Sequence, residues 1–83
     1  MTTKAEISSW FDRGLDSEDK PTHMLVVCDT FDYEDYPVYV KPEQDAKSVY
    51  DAFNKKNMQK VMEVYNLGVD KQIQMNTARV FNF

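Results

Sequence analysis

Apolar residues near the start of the chain recur at helical spacing and then give way to short strand-like runs. Ile7, Trp10 and Phe11, with Ala5 or Gly14 beside them, mark one stripe of a helix. Thr3 and Glu6 have the S/T-x-x-E spacing of a capping box, and Gly14 is the expected stop. A helix is therefore predicted over about Lys4 to Arg13. The polar run LDSEDKP, ending in Pro21, reads as a surface connection. In THMLVVCDT (Thr22 to Thr30), Met24, Val26 and Cys28 share one face, and Leu25, Val27 and Asp29 share the other. Apolar residues on both faces predict an interior strand, or one whose second face is covered by helices. Pro37 opens a second strand, PVYVKP, with Val38 and Val40 on one side and Tyr39 and Lys41 on the other. An antiparallel hairpin is the simplest pairing. With no Asn-Gly or Asp-Gly between the strands, its turn is not the tight two-residue kind, and DTFDYEDY becomes a projecting loop.

From Glu43 the period lengthens again. Ala46, Val49, Tyr50 and Phe53 form a complete helical stripe. NKKN breaks it, and Asn57 can cap a third helix carrying Met58, Val61, Met62 and Tyr65. Gly68 is expected to close that helix as a left-handed C-cap, and Asp70 to cap a short fourth helix through about Thr77. The end, RVFNF, alternates in polarity and suits either a third, edge-pairing strand or an apolar tail on the core. The expected fold class is α+β in one domain spanning 1–83. It has an N-terminal helix, an antiparallel β-hairpin with room for a third short C-terminal strand, and two to three C-terminal helices packed on one sheet face.

Size and composition sharpen this picture. A chain of 83 residues buries only about 60–65% of its extended surface, so its core is limited. A 13% aromatic content compensates, because rings bury much area per residue. The net charge of −4 and pI near 4.8 disfavour a general nucleic-acid binder, which needs a basic face, and equally an anionic membrane surface. No run approaches the roughly 20 apolar residues of a membrane span, and MTTKAEISSW lacks the apolar stretch of a signal peptide. With a single cysteine, these features point to a reduced, cytoplasmic protein.

Candidate chemistry is sparse, and the chain reads more as a non-enzyme than as an enzyme. His23 and Cys28 are the only thiol–imidazole pair, and their odd spacing on one strand sets them on opposite faces. One Cys and one His fall short of a zinc site. Asp29, Asp32, Glu34 and Asp35 could offer oxygens to calcium or magnesium, but their spacing is not that of an EF-hand. The two glycines lie 54 residues apart, so no phosphate cradle is present. No catalytic residue, metal ligand or cofactor is assigned. Lys55, Lys56 and Lys60 read as a solvated helix end, and the Met58–Met62–Tyr65 stripe as core.

The acidic segment Asp29 to Tyr36 changes the picture most. It holds four carboxylates and no base, and the rest of the chain balances at ten acids and ten bases. Asp29, Phe31, Asp32, Tyr33, Glu34, Asp35 and Tyr36, with Tyr39 just beyond, are the expected partner-binding residues. Tyrosines supply hot-spot contact area and opposite charge speeds encounter. The bland alternative is a solvated loop that discourages edge pairing.

The run THMLVVCDTFDYEDYPVYV (Thr22 to Val40) resembles a segment of a family of small uncharacterised bacterial and phage proteins. NMQKVMEVYNL (Asn57 to Leu67) and the terminal aromatics fit the same family. The resemblance brings no activity and no functional residue. It implies a small accessory protein of phage type, acting by occupying a host factor. The expected function is thus a non-enzymatic interaction protein that binds a host protein with a basic surface through loop 29–36. Binding of a nucleotide-like small ligand, and metal-dependent catalysis by the acidic cluster, are the alternatives. Self-association remains open, because small domains often gain stability that way.

Overall fold

The computed structural model describes residues 2–83. Helix α1 (Lys4–Asp16) is followed by strands β1 (His23–Asp29) and β2 (Glu34–Val40), helix α2 (Ala46–Phe53), strand β3 (Gln59–Asn66) and the short helix α3 (Lys71–Met75). The three strands form one antiparallel sheet in the order β2-β1-β3. The fold is α+β, as the patterning predicts.

Side-chain caps start all three helices; Thr3 and Asp70 are the expected ones, and Asp45 begins α2 at Ala46 rather than at about Glu43. Thr3 Oγ1 accepts from Glu6 N–H at 3.2 Å, Asp45 Oδ2 from Ser48 N–H at 3.1 Å, and Asp70 Oδ1 from Ile73 N–H at 3.1 Å. Each bond satisfies an N–H that the first helical turn leaves free, worth about 1 kcal/mol per cap. Gly14 does not stop α1. It lies buried inside the helix, where its missing side chain makes room for the Tyr39 ring and Leu67.

The expected third helix is instead β3. In the pairing with β1, Val26 faces Glu63 but Val27 faces Val61, so Met62 is the extra residue of a β-bulge. The bulge interrupts the period of two. Val61 and Val64 therefore reach one face, while Met62 and Tyr65 reach the other. Because both faces are covered, all four positions are apolar, and their spacing imitates a helix. Gly68 consequently caps no helix and has no positive φ; it sits in the turn that leaves β3, its N–H donating to Asn66 Oδ1 at 2.8 Å. The third strand is thus β3 rather than RVFNF. The C-terminal segment adds only one parallel bridge, Val64 to Phe81, held by Val64 N–H to Val80 O and Asn82 N–H to Val64 O.

The helices divide between the faces instead of sharing one. Ile7 and Phe11 of α1 pack with Met24, Val26, Tyr65 and Leu67, and Met75 of α3 joins them. Ala46, Val49, Tyr50 and Phe53 of α2 pack on Leu25, Val27, Val40, Val61 and Val64. Burying each large side chain contributes about 1.5–3 kcal/mol, which explains why β1 is apolar on both sides. On the edge strand, Pro37 pairs opposite Val26. Its missing N–H is tolerated at an edge and blunts that edge against further pairing.

Candidate functional site: the charged and aromatic end of the sheet

Two turns meet at one end of the sheet. Residues 30–33 join β1 to β2, and residues 54–58 lead from α2 into β3. Thr30 fastens them together, because its N–H and Oγ1 both donate to Met58 O, at 2.8 and 2.7 Å. Asp29 shapes the first turn. Its Oδ1 accepts from Phe31 N–H at 2.9 Å and Asp32 N–H at 3.4 Å, and its carbonyl accepts from Tyr33 N–H at 2.6 Å. This Asx arrangement spends the Asp29 carboxylate on the loop's own backbone.

The turn lifts Phe31 and Tyr33 into solvent, 71% and 78% exposed, and Met58 beside them is 59% exposed. Asp32 and Glu34 are also exposed. Asp35 is half-buried in the cross-strand row that runs through Cys28 to Lys60. Burial, and then the adjacent Asp35, pushes the Cys28 thiol above its ordinary pKa, the opposite of what a nucleophile needs. Tyr36 and Tyr39 turn inward. Tyr36 Oη accepts from Gln59 Nε2 on the α2 face. Tyr39 Oη donates to Trp10 O at 2.6 Å on the α1 face. Burial raises the pKa of both phenols. The outward-facing members of the expected contact set are therefore Phe31, Asp32, Tyr33 and Glu34.

Sequence reasoning missed two neighbours. The patterning puts Met58 in a helix core and Lys55, Lys56 and Lys60 at a solvated helix end. All four are exposed and flank the hairpin turn through the Thr30–Met58 link and the pairing of Cys28 with Lys60. No local signal announces the contact between Thr30 and Met58, which lie 28 residues apart in sequence. The ion pairs among the described residues, Lys4–Glu63 and Lys71–Asp12, lie elsewhere. Among the described residues neither the four carboxylates of 29–35 nor Lys55, Lys56 and Lys60 form an ion pair.

Four of the five left-handed non-glycine residues among those described lie at the same end, the fifth being Lys20 in the connection between α1 and β1. Tyr33 (φ 57°), Lys55 (59°), Asn57 (53°) and Met58 (59°) are left-handed without being glycine. Each costs on the order of 1 kcal/mol, somewhat less for Asn. Among the described residues, no three His, Cys, Asp or Glu side chains are grouped to hold a metal ion. His23, at the far end of β1, is satisfied by Thr22 Oγ1 and Phe83 O, at 2.8 and 3.1 Å. It lies on the sheet face opposite Cys28.

One groove of about 270 Å³ opens on the α1 face, with Lys4, Asp35, Glu63 and Arg79 around Val26 and Met62. Glu63 is buried there. It accepts from Tyr65 Oη at 2.9 Å and Val80 N–H at 3.3 Å, and pairs with Lys4 at 3.5 Å. Lys4 also donates to Tyr65 Oη at 3.1 Å. Burial, followed by the Glu63 contact, raises the Tyr65 pKa strongly. This network closes on itself and ties α1 to β3.

No helix among the described residues is long and apolar enough to cross a membrane. No protein-family model, curated protein or solved structure matches the chain.

Proposed function

We propose that this protein is a non-enzymatic, cytoplasmic interaction domain that docks on another protein through the end of its sheet. Phe31, Tyr33 and Met58 supply the apolar contact, and Asp32 and Glu34 direct it toward a basic surface. The observation that carries this reading is the exposure of two aromatic rings and a methionine in adjoining turns. Together they offer roughly 400 Å², taking about 150–250 Å² per aromatic side chain. A contiguous exposed apolar patch of about 300–600 Å² is often functional. Strained left-handed residues in both turns support it further, because such cost is commonly retained where function requires the geometry. The resemblance of Thr22–Val40 to small phage proteins suggests a host factor as the partner.

Affinity capture from host lysate tests the reading. Wild type should recover a partner that Asp32→Asn/Glu34→Gln/Asp35→Asn recovers poorly. Equal recovery by both would count against it. The small-ligand alternative rests on the groove beside Glu63. A nucleotide phosphate would meet Asp35 and Glu63 there, so the mixed charges suit a small zwitterion better. A large thermal shift with one such compound, and none with any protein fraction, would favour that reading.

A further inference from the structure

The partner chemistry of this end can be read from its own charges, and the argument rests on the docking role proposed above. On the β2 side stand Asp32, Glu34 and Asp35; on the β3 side stand Lys55, Lys56 and Lys60. Central β1 separates the two groups, and Asp29 pairs with Glu34 on one side and Gln59 on the other. Phe31, Tyr33 and Met58 lie in the same two turns. A basic partner surface satisfies the acids of one turn, and acids beside it on that surface would satisfy the lysines of the other.

We infer that the occupant that fits this end is a second copy of the chain, joined about a two-fold axis. An isologous interface needs a self-complementary patch, in which surface i meets j and j meets i. Rotating one copy by a half-turn about an axis between the two turns sets each acidic hairpin over the partner's lysine turn. The two turns that carry Phe31, Tyr33 and Met58 then meet their own copies at the centre. Among the described residues neither Asp32 and Glu34 nor Lys55 and Lys56 form an ion pair, so these four charges remain available across the interface. The apolar centre of roughly 400 Å² is about half of the ~800 Å² per partner of a standard interface. The flanking Asp32, Glu34, Lys55 and Lys56 supply much of the rest. The dimer is therefore weak and reversible, and it competes with any other basic partner for the same surface.

Charge reversal with mixing tests this. Wild type should show concentration-dependent dimerisation by sedimentation equilibrium from micromolar to sub-millimolar protein, weakening as salt rises. Lys55→Glu/Lys56→Glu and Asp32→Lys/Glu34→Lys should each self-associate at least about tenfold more weakly, because like charges then face each other. An equimolar mixture of the two should recover a one-to-one dimer. Far-ultraviolet circular dichroism checks that both variants are folded. A wild type that stays monomeric throughout, a dimer indifferent to both reversals, or a mixture that stays monomeric overturns the inference. Partner capture that still depends on Phe31 and Tyr33 in a monomeric wild type would leave the docking role standing while removing the dimer.

Discussion

Replacing Gly14 by alanine sets helix propensity against packing, and the coordinates decide the winner. Gly14 lies within α1 at ordinary helical φ, so alanine gains about 0.8–1.0 kcal/mol of intrinsic helix preference. A Cβ at this position would stand 2.8 Å from Tyr39 Cε1, 3.0 Å from Leu67 Cδ1 and 3.2 Å from Tyr39 Cδ1. The Tyr39 ring cannot simply swing aside, because its Oη is bonded to Trp10 O on the same helix. Leu67 is itself buried. Overpacking of this kind costs about 1–3 kcal/mol, so the net effect is a destabilisation on the order of 1 kcal/mol. For a domain of this size that lowers Tm by roughly 4–8 °C. Urea unfolding followed by circular dichroism measures it, with exposed Ser9→Ala as a control that should gain about 0.5 kcal/mol from propensity alone. If Gly14→Ala matched that gain, the close packing of α1 on β2 would be refuted.

Three other predictions rest on the buried polar groups. Tyr65→Phe removes a hydrogen bond from buried Glu63 and should cost about 1–3 kcal/mol in the urea midpoint, while Asp12→Ala, which breaks an exposed ion pair, should cost under about 1 kcal/mol. Tyr36, Tyr39 and Tyr65 all have raised folded pKa values, so above about pH 10 the unfolded state loses protons that the folded state keeps. Stability should therefore be insensitive to these groups below about pH 10 and fall as pH rises beyond it; pH-dependent melting should show a shallower fall for Tyr65→Phe. Alkylation of Cys28 by iodoacetamide should be slow at neutral pH and should accelerate in Asp35→Asn, though only in part, since burial is the larger cause of the raised thiol pKa.

What the sequence revealed, it revealed through local chemistry. Thr3 and Asp70 announce their helices because a cap is a contact within one turn. The β1–β2 hairpin is legible because Met24 to Val27 and Val38 to Val40 keep their periods. The Asp29–Tyr36 segment stands out because its charge is unbalanced over eight residues. The features that escaped are products of packing. Met62 in the bulge shifts β3 out of alternation, and a sheet covered on both sides makes its strand look like a helix. Gly14 resembles a helix stop because its true reason, the Tyr39 ring, comes from another element. Met58 and the lysines join the hairpin only once β3 is laid beside β1. Tyr36 and Tyr39 were expected outside, yet each finds an inward hydrogen-bond partner that no neighbour in sequence predicts.

Photo-crosslinking tests the docking end most directly. Benzoylphenylalanine placed at Phe31 or Tyr33 in producing cells should yield discrete protein adducts, including any formed with a second copy of the chain. The same probe at exposed Glu18, in the connection between α1 and β1, should yield none. Adducts at Glu18 equal to those at Tyr33, or none at either ring position, would contradict the account.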